Sequence, residues 1–188
     1  MEEVRKFLDK VYPMSQSDWD FFSSKLQKVC FKKNTILLKQ GQVENHLSFI
    51  SKGVVRFYIH GEDYDLTFGF LFENDLFTAY DSFISQSPCA YQTQVLADAI
   101  LWRITFKDLQ EVYQKTEKGN LIGRRMAERM YIIKAKRELS LLSKTAEERY
   151  LDLFLERPKL IKHIPLKYIA SYIGVTPQAL SRIRKRIT

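Results

Sequence analysis

One change of hydrophobic period divides this chain and limits what it can become. From Val29 to about Thr105, apolar residues come in short runs broken by turn residues, as in "CFKKNTILLKQGQ" and "HLSFISKGVVRFYIHGEDYDLTFGFLF". Leu47, Phe49 and Ser51 alternate on one face; after the Lys52-Gly53 turn, Val55, Phe57 and Ile59 do the same. Several short strands at this spacing read as an all-β sandwich or barrel. The stretch Phe77–Pro88 reads as a short helix and loop inserted in it. From Phe106 to about Ser143 the pattern is different: no proline occurs, and Leu121/Ile122, Met126, Met130, Ile133 and Leu139 recur at helical spacing. That predicts a long amphipathic helix over about 119–142. Ahead of the strands, Val4–Leu8 and Trp19–Leu26 read as short helices, the second with Ser17 as N-cap and Asp18 in its first turn.

Charge follows the same division. Residues 1–106 carry 11 Lys and Arg against 13 Asp and Glu, whereas residues 107–188 carry 19 against 9. Any polyanion binding therefore belongs to the C-terminal half. The hydrophobic content of 45% supports a packed core and excludes general disorder. Cys30 and Cys89 are too few for a disulfide framework, and His46, His60 and His163 lack metal-ligand spacing, so no metal site is expected. Nucleophile-elbow, phosphate-loop and zinc-hydrolase motifs are all missing, which argues against an enzyme. No apolar run has the length of a membrane span, and the N-terminus has no signal-peptide core, so a soluble cytoplasmic protein is expected.

The C-terminal part reads as a helical unit of its own, 144–188. Thr145 can cap a helix with Glu147 and Glu148 in its first turn, Tyr150, Leu151, Leu153, Phe154 and Leu155 form its buried side, and Pro158 stops it. The chain then closes on "IASYIGVTPQALSRIRKRIT". Leu166, Ile169, Ala170 and Ile173 share one face, and Gly174 ends that helix as a residue suited to left-handed backbone. Thr176 caps the next helix, with Pro177 at a position that needs no N–H. Ala179, Leu180, Ile183 and Ile187 turn inward, while Gln178, Ser181, Arg182 and Lys185 face outward beside Arg184 and Arg186. Those outward types suit base edges and phosphates. A merely solvated basic face would leave the turn chemistry without a role.

This order of parts resembles the Crp/Fnr family of bacterial transcription regulators. The resemblance is carried by "ILLKQGQVENHLSFISKGVVRFY", similar to the early strands of a cyclic-nucleotide-binding-type β-roll, and by "IPLKYIASYIGVTPQALSRIRK", similar to the family's DNA-binding signature. It implies an α+β fold in three parts: a jelly-roll-like β-roll sensor over 1–118, a long dimerisation helix over 119–143, and a helix-turn-helix domain over 144–188. Many members continue into a β-hairpin wing, whereas this sequence stops at Thr188, directly after the recognition helix over 176–187. The implied partners are a second copy, paired through Ile122, Met126, Met130 and Ile133, and palindromic double-stranded DNA; RNA polymerase is left open as a third. Gln178 and Arg182 are the implied base-reading residues, with Thr176, Ser181, Lys185, Arg186 and Lys167 on the DNA backbone. Pro177 and Gln178 stand where cyclic-AMP-dependent members place Arg and Glu, so a different operator is expected.

The sensor departs further. Ala79-Tyr80 and Ala90-Tyr91 stand near where those members carry the Gly-Glu pair and the phosphate-binding Arg, and no Lys or Arg occurs in the 46 residues between Arg56 and Arg103. A buried cyclic phosphate would lack its cation, which disfavours cyclic AMP as effector. Phe70, Phe77, Tyr80, Asp81, Ala90 and Tyr91 remain the candidate pocket, open to another ligand or packed as a filled core, the reading preferred here. A cyclic-nucleotide-responsive regulator and a sensory or interaction module that does not bind DNA are the rival readings. No cofactor is expected.

Overall fold

The structure, a computed structural model, describes residues 1–187; Thr188, the end of the expected 144–188 unit, lies outside the described residues. The architecture is α+β. Helices α1 (Glu2–Val11) and α2 (Gln16–Ser24) precede strands β1 (Gln27–Phe31), β2 (Ile36–Leu38), β3 (His46–Lys52), β4 (Val55–Ile59), β5 (Leu66–Leu71) and β6 (Leu76–Phe77). Helix α3 (Tyr80–Ser85), strands β7 (Gln92–Val95) and β8 (Ala99–Thr105), and helix α4 (Phe106–Lys115) complete the β-rich part. Then come the long α5 (Gly119–Ser143), α6 (Ala146–Glu156), α7 (Pro158–His163), α8 (Leu166–Tyr172) and α9 (Pro177–Ile187).

The strands form two four-stranded sheets, ordered β1-β8-β3-β6 and β2-β7-β4-β5. Non-consecutive neighbours in both make this a jelly-roll-like β-roll rather than a meander. Register in the first sheet is antiparallel, with Phe49 opposite Trp102 and Ile50 opposite Leu101. The β3–β4 turn demands glycine twice over: Gly53 has φ +110°, and a Cβ there would stand 2.7 Å from Ala99 Cβ. Expected strict alternation fails in β3, where Ser48, Phe49 and Ile50 are all buried, because both faces of this strand are covered. On one side Val4, Leu8, Trp19, Phe22, Phe49 and Ile104 join a core that also takes Leu109, Val112 and Ile122.

By packing, the described chain divides into two units: residues 1–57 with 70–130, and residues 58–69 with the chain from Tyr131 on. The second therefore includes the tip of the β4–β5 hairpin.

Several local readings change. The cap of α2 is Ser15, whose hydroxyl accepts from Asp18 N at 3.1 Å, not Ser17. Pro158 does not only stop α6; it opens α7 at a first-turn position where its missing N–H costs nothing. Thr145 caps α6 as expected, in a full capping box with Glu148. Only Tyr150 and Leu153 of the expected buried side of α6 are inside, while Leu151, Phe154 and Leu155 are exposed, Leu155 at 87%. Ile59, Leu166 and Ile187 likewise stand at the surface.

Candidate nucleic-acid interface

The α8–α9 elbow is built as its residue types require. Gly174 adopts φ +78°, and its N–H donates to Ser171 O while Val175 N donates to Ala170 O, closing the end of α8. Thr176 Oγ1 then accepts from Ala179 N at 3.2 Å and starts α9. Leu180 and Ile183 of α9 are buried, as are Ile169, Ala170 and Ile173, the apolar inner faces of the pair. Helical phase consequently turns Gln178, Ser181, Arg182 and Lys185 to solvent, and all four are exposed. Thr176 and Lys167 are also exposed; Lys167 Nζ rests 4.9 Å over the Tyr168 ring. Arg186 differs, because its Nη2 pairs with Glu147 Oε2 at 2.9 Å. A groove of about 510 Å³ lies beneath the basic end of α9, floored by Ala146, Val175, Ala179 and Ile183.

Three arginines not singled out in the sequence hold this elbow. Arg137 of α5 stacks its guanidinium 3.7 Å from the Tyr172 ring centroid and donates from Nη2 to Tyr172 O. Arg157 Nη1 donates to Tyr172 Oη at 2.9 Å. Arg149 Nε donates to Ile173 O at 2.8 Å, while its Nη1 reaches Lys144 O at 2.5 Å. Arg137 and Arg149 thus satisfy carbonyls that the end of α8 leaves open, where cations are also favoured by the helix dipole. Burial pulls the pKa of Arg137 down, and the neighbouring Tyr172 works the other way. The β4–β5 tip joins the same unit through Ser171, whose hydroxyl donates to Asp65 O and accepts from Thr67 N, each at 2.7 Å.

The four expected dimerisation residues do not share one environment. Ile122 is 7% exposed within the core of its own unit, and Met126 packs against that core. Met130 is half-buried and Ile133 exposed. Ile122 is therefore not free for contact with a second copy, because its side chain is core within the chain. Ala135 lies nine residues after Met126, two and a half turns on, and so occupies the other side of α5. That side carries exposed Ile132, Leu139 and Leu142, at 53%, 62% and 78%. Arg137, by contrast, lies eleven residues after Met126, back on the inner phase. A cation on an otherwise apolar stripe was the sequence signal that could have marked it.

The residues of the candidate ligand pocket differ in burial. Phe70 and Phe77 are buried, at 1% and 6%. Phe57 meets the rings of both Phe77 and Tyr91 edge-on, centroids 6.0 Å apart in each pair. The Tyr91 hydroxyl donates to Asp81 Oδ1, so two of the candidate residues bond each other. Burial first, then that carboxylate, pushes the phenol pKa up. Tyr80 is half-buried and Ala90 exposed. The two arginines that bound the cation-free stretch are both engaged: fully buried Arg56 donates to Gln94 Oε1 at 3.0 Å, and Arg103 donates to Ser48 Oγ at 3.3 Å over the Phe31 ring. Behind them Glu44 is buried and its pKa raised by desolvation, although His46 N donates to it at 2.9 Å. Burial, aided by Arg103, lowers His46 to about 4.

No helix among the described residues is long and apolar enough to cross a membrane. No curated protein sequence matches the chain. Residues 28–116 match the cyclic nucleotide-binding domain family. Among solved structures, a transcriptional regulator of the Crp/Fnr family from Eubacterium rectale superposes with TM-score 0.71 at 17% identity, over 95% of this chain and 87% of that one. FixK2 from Bradyrhizobium japonicum gives 0.71 at 16% identity, over 86% and 84%. CLP, a c-di-GMP-responsive global regulator from Xanthomonas campestris, gives 0.69 at 15% identity, over 92% and 91%. The chain thus has the fold of Crp/Fnr-type regulators, with a cyclic nucleotide-binding-type domain spanning residues 28–116.

Proposed function

We propose that this protein is a sequence-specific DNA-binding transcription regulator that acts as a homodimer and lays α9 in the major groove. One observation carries the reading: α9 buries Leu180 and Ile183 while displaying Gln178, Ser181, Arg182 and Lys185 together, after a turn that only a left-handed Gly174 makes cheaply. Gln178 suits adenine and Arg182 guanine as bidentate partners; Ser181, Lys185, Lys167 and the Thr176 end suit phosphates. Arg186, paired with Glu147, plays a smaller part. Pairing along α5 uses Ile132, Ala135, Leu139 and Leu142, whose three- and four-residue spacing is that of a coiled-coil seam. RNA polymerase is the further partner such a regulator would meet.

The β-roll, in this reading, is not a cyclic-AMP sensor. Its interior is filled by Phe57, Phe77 and Tyr91, and the arginines that could meet a phosphate are held by Gln94 and Ser48. Any effector would be a molecule other than cyclic AMP that displaces the Tyr91–Asp81 pair. The direct test is fluorescence anisotropy with duplex DNA across a salt series. The logarithm of affinity should fall linearly and steeply with the logarithm of salt as phosphate counterions are released. A flat salt response, or no binding at low salt, would exclude the reading.

A further inference from the structure

Resting on that reading of α9, the geometry points to Arg137 as the positioning residue that fixes the reading elbow to the dimerisation helix, and so sets the half-site spacing the dimer accepts. Arg137 belongs to α5, yet both of its contacts are to Tyr172, the last residue of α8: guanidinium over ring at 3.7 Å, and a hydrogen bond to the Tyr172 carbonyl. Tyr172 is 5% exposed and is held at its other end by Arg157, so its ring cannot shift without breaking both. Two residues later the chain passes through Gly174 and into α9. On α5, Arg137 lies on the side away from Ile132, Ala135, Leu139 and Leu142. One side of the helix thus presents apolar residues to a second copy while Arg137, on the other, grips the elbow from α5 itself, and the offset between the two α9 helices of a dimer runs through that grip.

Half-site separation mirrors the distance between recognition helices, so it is a geometric readout of that grip. Loss of overall stability would weaken binding to every duplex alike; loss of positioning would change which spacing is preferred. The experiment selects a palindromic duplex from random DNA with the wild-type protein. Affinity is then measured for that duplex and for versions with one or two base pairs inserted at its centre. Wild type should lose about tenfold or more per inserted pair, the steep penalty of a rigid dimer. Arg137→Ala should reduce that penalty to about threefold or less. Arg137→Lys is measured in parallel and should behave like Arg137→Ala, because a compact ammonium keeps the charge but loses the planar stack. Tyr172→Phe, which keeps the ring and loses the hydroxyl that Arg157 bonds, should retain most of the penalty. An unchanged penalty in folded Arg137→Ala or Arg137→Lys protein would overturn the role of Arg137 alone. Failure of wild type to select any duplex would overturn the reading of α9 on which it rests.

Discussion

The β-roll and the α8–α9 unit use polar side chains in opposite ways. In the roll, Arg56, Glu44 and Ser48 are buried and serve the fold; Glu44 Oε1, for example, accepts from His46 N at 2.9 Å. In α9, Gln178, Ser181, Arg182 and Lys185 stand in solvent on a helix whose other side is core. The difference teaches which region keeps a recognition surface. In the roll, Arg56 and Arg103 bond Gln94 and Ser48 of neighbouring strands. In α9, Arg186 pairs with Glu147, while Arg182 and Lys185 stand exposed.

Removing a ring from the roll tests that contrast hardest. Phe57→Ala should cost about 3–5 kcal/mol in denaturant unfolding if the interior is packed solid. A cost near zero would mean the site is a cavity awaiting a ligand. Next comes Arg182→Ala, which should erase about 1–3 kcal/mol of discrimination between the selected duplex and single-base variants. Its thermal midpoint should stay close to wild type, because Arg182 is exposed. Gly174→Ala should destabilise the C-terminal unit by about 1–2 kcal/mol through backbone strain alone. A Cβ there would meet nothing closer than 3.7 Å, so a much larger loss would expose a steric cause that the geometry does not show.

Oligomeric state probes the two sides of α5. Ile132→Glu with Leu139→Glu should give a folded monomer by sedimentation, whereas Ile122→Glu should unfold the roll instead, since Ile122 is core. A dimer persisting in the double variant would place the seam elsewhere. The smallest effect is in pH. His46 has its folded pKa lowered to about 4 from 6.5, so the unfolded chain binds the proton first. Its contribution to stability is complete above about pH 6.5 and is lost as pH falls toward 4. His46→Asn should flatten the fall in melting temperature between these limits; an unchanged slope would assign the acid sensitivity to other groups.

The α8–α9 elbow was legible in the sequence because its signals are local: a cap, a first-turn proline, a left-handed glycine and two faces of one helix. The same holds for Thr145 and its capping box. What could not be read was set at long range. Tyr150, Leu151, Leu153, Phe154 and Leu155 are all apolar, and only packing decides that Tyr150 and Leu153 go inside. The Met126 stripe of α5 is amphipathic whichever partner covers it, so periodicity alone could not tell a second copy from the chain's own core. Ser15 and Ser17 are both good caps, and the choice rests on where the chain enters α2. Arg137 was hidden among the many cations of α5, distinguished only by phase.

Selection of duplexes from random-sequence DNA by the protein tests the central claim most directly. The account predicts enrichment of one palindromic sequence, bound about a thousandfold or more tighter than scrambled duplex at physiological salt, with the preference reduced by Arg182→Ala. Equal affinity for selected and scrambled duplexes, or a preference indifferent to Arg182, would contradict it.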